Sequence, residues 1–126
     1  MEVVNAPAAS PLSAETLIEQ LLSDPQQPVV MFQTRWCGYC HSARQLLQKL
    51  AVPHRLVDLD SEEYQSLGGG ASIRAELMRR TGSRTVPQIF IGGEYIGGAT
   101  ETIAAFRDGS LHDKLQAHGI AIGEPG

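Results

Sequence analysis

Cys37 and Cys40 are the only cysteines of this chain, and they fall at a change of hydrophobic period, in the stretch Trp36-Cys37-Gly38-Tyr39-Cys40. Before them runs Val29-Val30-Met31-Phe32, continuously apolar as buried strands are; after them Ala43, Leu46, Leu47 and Leu50 recur at the spacing of one helix face. A strand is therefore expected over 29–32 and a helix from about Cys40 to Leu50, with both sulfurs near the helix start. Backbone N–H groups there lack intrahelical partners and the helix dipole is positive. Such a site favours thiolate over thiol. Cys37 is expected to be the accessible sulfur and Cys40, one turn in, the more buried one. Gly38 between them keeps an N–H donor that proline would lack.

The rest of the chain supplies the partners that this strand and helix need. Ser13 can cap a first helix whose Leu17, Ile18, Leu21 and Leu22 share a face, and Asp24-Pro25 ends it. Val52-Pro53 breaks the cysteine helix, and Arg55 to Leu59 reads as a second strand. Gly68-Gly69-Gly70 reads as a loop. Ala71 to Arg80 follows as a helix with Ile73, Leu77 and Met78 inward, closed by Thr81-Gly82. Gln88 to Ile91 and Glu94 to Ile96 flank Gly92-Gly93, a two-residue hairpin signal. Gly97-Gly98 then leads into a helix carrying Ile103 and Phe106, and Leu111 and Leu115 mark a last short one. The order is α-β-α-β-α-β-β-α-α. A strand, a helix and a strand imply a parallel unit with a right-handed crossover, to which the hairpin adds two antiparallel strands. The expected fold is α/β: a four-stranded mixed sheet flanked by helices on both faces.

At 126 residues the chain has room for one domain with one modest core. That domain is expected over 13–118, after a disordered segment at 1–12 rich in Ala and Pro and before a flexible tail at 119–126. A net charge of −4 argues against a general nucleic-acid binder. No apolar run approaches the length of a membrane span, and the first residues lack the pattern of a secretory signal.

A lone C-x-x-C is not a disulfide framework. Beside a β-α-β pattern it is the sign of a thioredoxin-like redox fold. Zinc would need about four ligands, and His41, His54, His112 and His118 show no paired spacing to complete them. Cys37-Gly38-Tyr39-Cys40-His41 matches the C-x-x-C-H of covalent haem, a chemistry tied to export. Two inert core cysteines are the remaining reading. The spacing and the helix-start location favour redox chemistry, hence a reducing compartment: the cytoplasm or another such as an organelle stroma.

Three further groups bear on a binding site. Thr85-Val86-Pro87 precedes an apolar strand. A trans proline opening an edge strand is the commoner arrangement; a cis Val86–Pro87 bond would leave the Val86 backbone free to pair with an extended peptide. Gly97-Gly98-Ala99-Thr100-Glu101 is either a simple turn with Thr100 as cap or a helix start open to an anion. Arg74, Arg79, Arg80 and Arg84 form a basic cluster, which is either a solvated helix face or a carboxylate site.

Together and in this order, Cys37-Gly38-Tyr39-Cys40, Thr85-Val86-Pro87 and Gly97-Gly98 resemble the active-site, cis-proline and glycine-pair motifs of the glutaredoxins, over roughly Leu17 to Leu115. The resemblance implies a thioredoxin-like (glutaredoxin) fold and a dithiol enzyme that reduces protein–glutathione mixed disulfides and disulfides. Cys37 would be the nucleophile and Cys40 the resolving thiol. Glutathione would be the cosubstrate, and the protein partners glutathionylated or disulfide-bonded proteins, with no nucleic acid or membrane involved. Val86, with Pro87, would pair with the glutathione backbone. Gly98, Thr100 and Glu101 would hold its γ-glutamyl end, Arg79 and Thr85 its glycyl end, and Tyr39 would line the groove. Thr34 stands where many members carry Lys, with Arg35 the nearest cation, and Ala99 where some carry a further cysteine. Gly38 stands where the commonest motif has Pro. Members lacking that Pro include some that bind a [2Fe–2S] cluster between two subunits, through the first cysteine of each and two glutathiones. The alternative this implies is a cluster-bridged dimer in place of a monomer, with Cys37 as the protein ligand.

Overall fold

The structure, a computed structural model, describes residues 13–67 and 70–120. The segment expected to be disordered (1–12), residues 68–69 of the expected 68–70 loop and residues 121–126 of the expected 119–126 tail lie outside those residues, while Gly70 belongs to a helix. The elements in chain order are α1 (Ala14–Ser23), β1 (Val29–Gln33), α2 (Gly38–Lys49), β2 (Arg55–Asp58), a 3-10 segment (Glu62–Leu67), α3 (Gly70–Thr81), β3 (Gln88–Ile91), β4 (Glu94–Gly97), α4 (Ala99–Asp108) and α5 (Ser110–Ala117).

The sheet order is β2-β1-β3-β4. β1 runs parallel to β2, with Gln33 opposite Asp58, and antiparallel to β3, with Phe32 opposite Gln88; β4 is antiparallel to β3. All five residues of β1 are buried because helices cover both faces, which is why the run reads as continuously apolar. Alternation still sorts the side chains. Val30 and Phe32 join Ile18, Leu21, Val57, Ile73, Leu77 and Phe90 under α1 and α3. Val29 packs with Leu47, Leu50, Ile91, Leu111 and Leu115 on the other face. Met31 joins Cys40, Ala43, Ile89 and Ala99 on that same side, so the second cysteine is part of the core. The Gly92-Gly93 turn has φ of +60° and +86°, the left-handed pair that a two-residue hairpin requires.

The mixed sheet and its nine expected helices and strands are present. Three local differences have physical reasons. The cysteine helix begins at Gly38, two residues early, because Cys37 caps it. The 3-10 segment is an additional element, and its Tyr64 is buried with Ile73 and Leu77 in one cluster. The chain stays packed past 118: the Ile120 N–H donates to the Leu115 carbonyl at 2.9 Å and its side chain packs beside Leu111.

Candidate active site

Cys37 is the N-cap of α2, with extended backbone (φ −97°, ψ 119°), so its sulfur accepts where a Ser or Asp oxygen would. The Cys40 N–H donates to Cys37 Sγ at 3.3 Å. Partial burial works to raise the Cys37 pKa, but hydrogen bonds from the Cys40 thiol and from the Cys40 and Tyr39 N–H groups, with the positive charge of Arg44, outweigh it and leave Cys37 below the ordinary cysteine value. Cys40 behaves oppositely. Burial, the hydrogen bond it gives to Cys37 and the negative charge forming there push it up to about 12, against smaller opposing effects of the Thr34 backbone and Arg44. One turn of helix thus separates a sulfur that favours the thiolate from one that keeps its proton. The Gly38 N–H is not among the groups that lower Cys37, so the donor that proline would remove is one the sulfur does not use.

The Val86–Pro87 bond is cis. The Val86 carbonyl lies 3.6 Å from Cys37 Sγ and accepts from the thiol when Cys37 is protonated. Beside this contact runs a groove of about 310 Å3 lined by Tyr39, Thr85, Val86, Pro87, Gly98, Ala99, Thr100 and Glu101. Every one of these except Ala99 is a site residue expected from the sequence. Its far wall is the start of α4, capped by Gly98, whose N–H donates to Glu101 Oε1 at 2.8 Å. Gly97, at φ +132°, is required there: a Cβ would stand 2.5 Å from Glu101 Cβ. Trp36 and Tyr39, on either side of Cys37 in the sequence, are 90% and 70% exposed, so aromatic surface beside this sulfur faces solvent. A larger groove of about 620 Å3, between α2 and α4, contains neither cysteine.

Two expected residues sit elsewhere. Thr34 does not line the groove; its backbone acts on Cys40. Arg79 is turned away, its guanidinium 2.6 Å from Glu76 and 3.8 Å from Glu15. Arg80 is likewise held by Glu76 and Glu19. The hydrogen bond from Arg79, together with Arg80, overcomes partial burial and lowers the Glu76 pKa to about 2. The spacing of Glu76 to Arg79 and Arg80, three and four residues on one helix face, is the sequence signal that these two arginines are neutralised. The remaining members of the basic cluster stand closer to the groove. Arg74 donates to the Arg84 carbonyl at 2.9 Å, and Arg84, next to groove-lining Thr85, is exposed and forms no ion pair among the described residues. Among the described residues no three His, Cys, Asp or Glu side chains converge as a metal site would need.

The family model described as Glutaredoxin matches residues 29–96, from β1 to β4. A glutaredoxin of Pseudomonas aeruginosa is 42% identical over 90 residues, which is 71% of this chain and 98% of that protein. Glutaredoxin-C2 of Arabidopsis thaliana is 38% identical over 98 residues, 78% of this chain and 84% of the relative. Among solved structures, a buckwheat glutaredoxin–glutathione complex superposes with a TM-score of 0.76 at 35% identity, covering 86% of this chain and 92% of that one. The holo form of glutaredoxin C1 from Populus tremula x tremuloides gives 0.73 at 32%, covering 83% and 97%. A thiolate-favouring N-cap cysteine, a second sulfur one turn in and a groove along a cis-proline therefore occur on a thioredoxin-like fold shared with these proteins, and the chain belongs to the glutaredoxin family of thiol oxidoreductases, with a C-x-x-C site of the dithiol type.

Proposed function

We propose that the protein is a glutathione-dependent thiol–disulfide oxidoreductase acting on protein–glutathione mixed disulfides and on protein disulfides. The observation that carries this reading is Cys37 Sγ at 3.6 Å from the carbonyl of Val86, a residue that lines the groove together with the start of α4. That groove suits glutathione: an extended backbone beside Val86, a γ-glutamyl carboxylate toward the first N–H groups of α4, and a glycyl carboxylate toward Arg84 and Arg74.

With a glutathionylated protein, the Cys37 thiolate attacks the glutathionyl sulfur. A bond forms between Cys37 and glutathione, and the protein thiolate leaves and takes a proton. A second glutathione thiolate then attacks that sulfur, releasing oxidised glutathione and restoring the Cys37 thiolate. With a protein disulfide, the Cys37 thiolate attacks one substrate sulfur to form a mixed disulfide, the substrate S–S bond breaks, and the other substrate sulfur leaves as a thiolate that takes a proton. Cys40 then attacks Cys37 Sγ and expels the substrate thiolate, and two glutathiones reduce the resulting Cys37–Cys40 bond. Two of the effects that hold the Cys40 proton, the hydrogen bond to Cys37 and the charge on it, disappear once Cys37 is capped. Cys40 therefore becomes the better nucleophile at the step that needs it. The resting dithiol form suits a reducing compartment.

Cys40→Ser tests the division of labour: deglutathionylation by external glutathione should survive, and protein-disulfide reduction should be lost. Cys37→Ser should abolish both, and substantial turnover in that variant would overturn the assignment.

A second reading starts from Cys37 as the more exposed of the two free thiols, next to a Gly38 at which an added Cβ meets no atom of the chain within 4 Å. A [2Fe–2S] cluster there would take one thiolate per chain from Cys37, with glutathione thiols completing about four ligands, and would supply redox or transfer chemistry. Anaerobic reconstitution with iron, sulfide and glutathione should give a coloured dimer; a colourless monomer would remove this reading.

A further inference from the structure

Gln33 is 4% exposed at the end of β1, a buried amide that the reaction above does not use. Both ends of its side chain are engaged. Nε2 donates to Asp58 Oδ1 at 2.7 Å, across the parallel ladder in which the two residues are directly paired. Oε1 accepts from an Arg44 guanidinium N–H. Arg44 lies four residues after Cys40 on α2, hence on the same helix face. We propose that Gln33 is a positioning residue, an amide relay that ties Arg44 to the Asp58 carboxylate and so holds the guanidinium at the sulfur site instead of in solvent.

The chemistry of the three groups requires an amide in the middle. Asp58 can only accept and Arg44 can only donate, and the Gln33 amide presents a donating NH2 at one end and an accepting carbonyl at the other. An apolar residue at 33 would leave the guanidinium without its anchor on the sheet. A carboxylate at 33 would neutralise Arg44 and repel Asp58. Arg44 favours the thiolate at both cysteines. The other cation nearby, Arg35, is drawn to Asp60, 3.6 Å away and beyond the end of β2. From the Thr85-Val86-Pro87 segment, Cys37 meets the uncharged Val86 carbonyl. A side chain that lets Arg44 wander should therefore raise the Cys37 midpoint, whatever its effect on glutathione.

The relay rests on Cys37 being the nucleophile of the reading above. Its test needs no glutathione, so it can fail while that reading stands. The rate of iodoacetamide alkylation against pH gives the Cys37 midpoint for the reduced protein, Gln33→Met, Arg44→Met and the double variant. Gln33→Met keeps the volume and removes the relay; it should raise the midpoint by a few tenths of a pH unit, in the range of a partly screened single charge. Arg44→Met should do the same, and the double variant should match Arg44→Met alone, since the effect of Gln33 passes through Arg44. Gln33→Glu, close in shape to the native amide, gives a second route if Gln33→Met does not fold, and should raise the midpoint further. An unchanged midpoint in a folded Gln33 variant, or full additivity with Arg44→Met, would overturn the proposal.

Discussion

Gly38→Pro should stabilise the protein and leave the Cys37 thiolate where it is. Gly38 is the first residue of α2, the helical position at which proline is favoured because its N–H has no intrahelical partner. Cys37 before it has φ −97° and ψ 119°, the extended backbone that a residue preceding proline prefers. An added Cβ meets no atom within 4 Å, and the Gly38 carbonyl that accepts from Ser42 Oγ at 3.4 Å is kept. The gain comes from restricting the unfolded chain, about 0.4–1 kcal/mol. For a domain of this size that is roughly 1–4 °C in Tm. The N–H groups that lower Cys37 belong to Cys40 and Tyr39, so its midpoint should stay within about 0.2 pH units of the parent. Thermal melts of the reduced protein and alkylation rates against pH read both quantities. A lower Tm, or a midpoint raised by about half a unit, would show that the Gly38 N–H does serve the sulfur and that the account of the cap is wrong.

Cys40, raised to about 12 when folded, is nearer 9 unfolded, so its contribution to stability is complete below about pH 9 and is lost as pH rises toward 12. Urea denaturation of the reduced protein should show a decline of up to about 1.4 kcal/mol per pH unit in that window, and Cys40→Ser should lack it. Arg79→Ala should leave the KM for glutathione unchanged while Arg84→Ala raises it severalfold; the reverse pattern in steady-state kinetics would return the glycyl carboxylate to Arg79. Thr102 is fully buried and its Oγ1 donates to the Gly98 carbonyl at 2.8 Å, so Thr102→Val should cost about 1 kcal/mol in denaturant midpoints.

What the sequence made legible was local or periodic. The strand-to-helix change around Cys37 shows in the apolar spacing alone, and Gly92-Gly93 announces a turn because few other residues accept two positive φ values in succession. The groove residues were found by resemblance, and the structure brings Tyr39, Thr85, Val86, Pro87, Gly98, Thr100 and Glu101 together although up to 62 positions separate them in sequence. The arginines failed for a different reason. Which guanidinium is free depends on which carboxylates have already claimed the others, and two of those, Glu15 and Glu19, come from α1. The Glu76 spacing is legible in the sequence; the contacts from α1 are set by packing.

Gln33 shows the same limit from the polar side. After Val29 to Phe32 a glutamine reads as the end of a strand and the start of a loop. It is buried because two residues distant in sequence, Asp58 from the neighbouring strand and Arg44 from the helix above, satisfy both ends of its amide. A buried amide with both partners supplied costs little, whereas one with a partner missing costs about 1–3 kcal/mol. The position therefore tolerates glutamine only in a chain that also places an acceptor at 58 and a donor at 44. The difference between the two sulfurs follows from the same layout. Cys37 sits where the helix offers free N–H groups, Cys40 where the sheet excludes water, and Arg44, held by Gln33 at the end of β1, favours the thiolate at both.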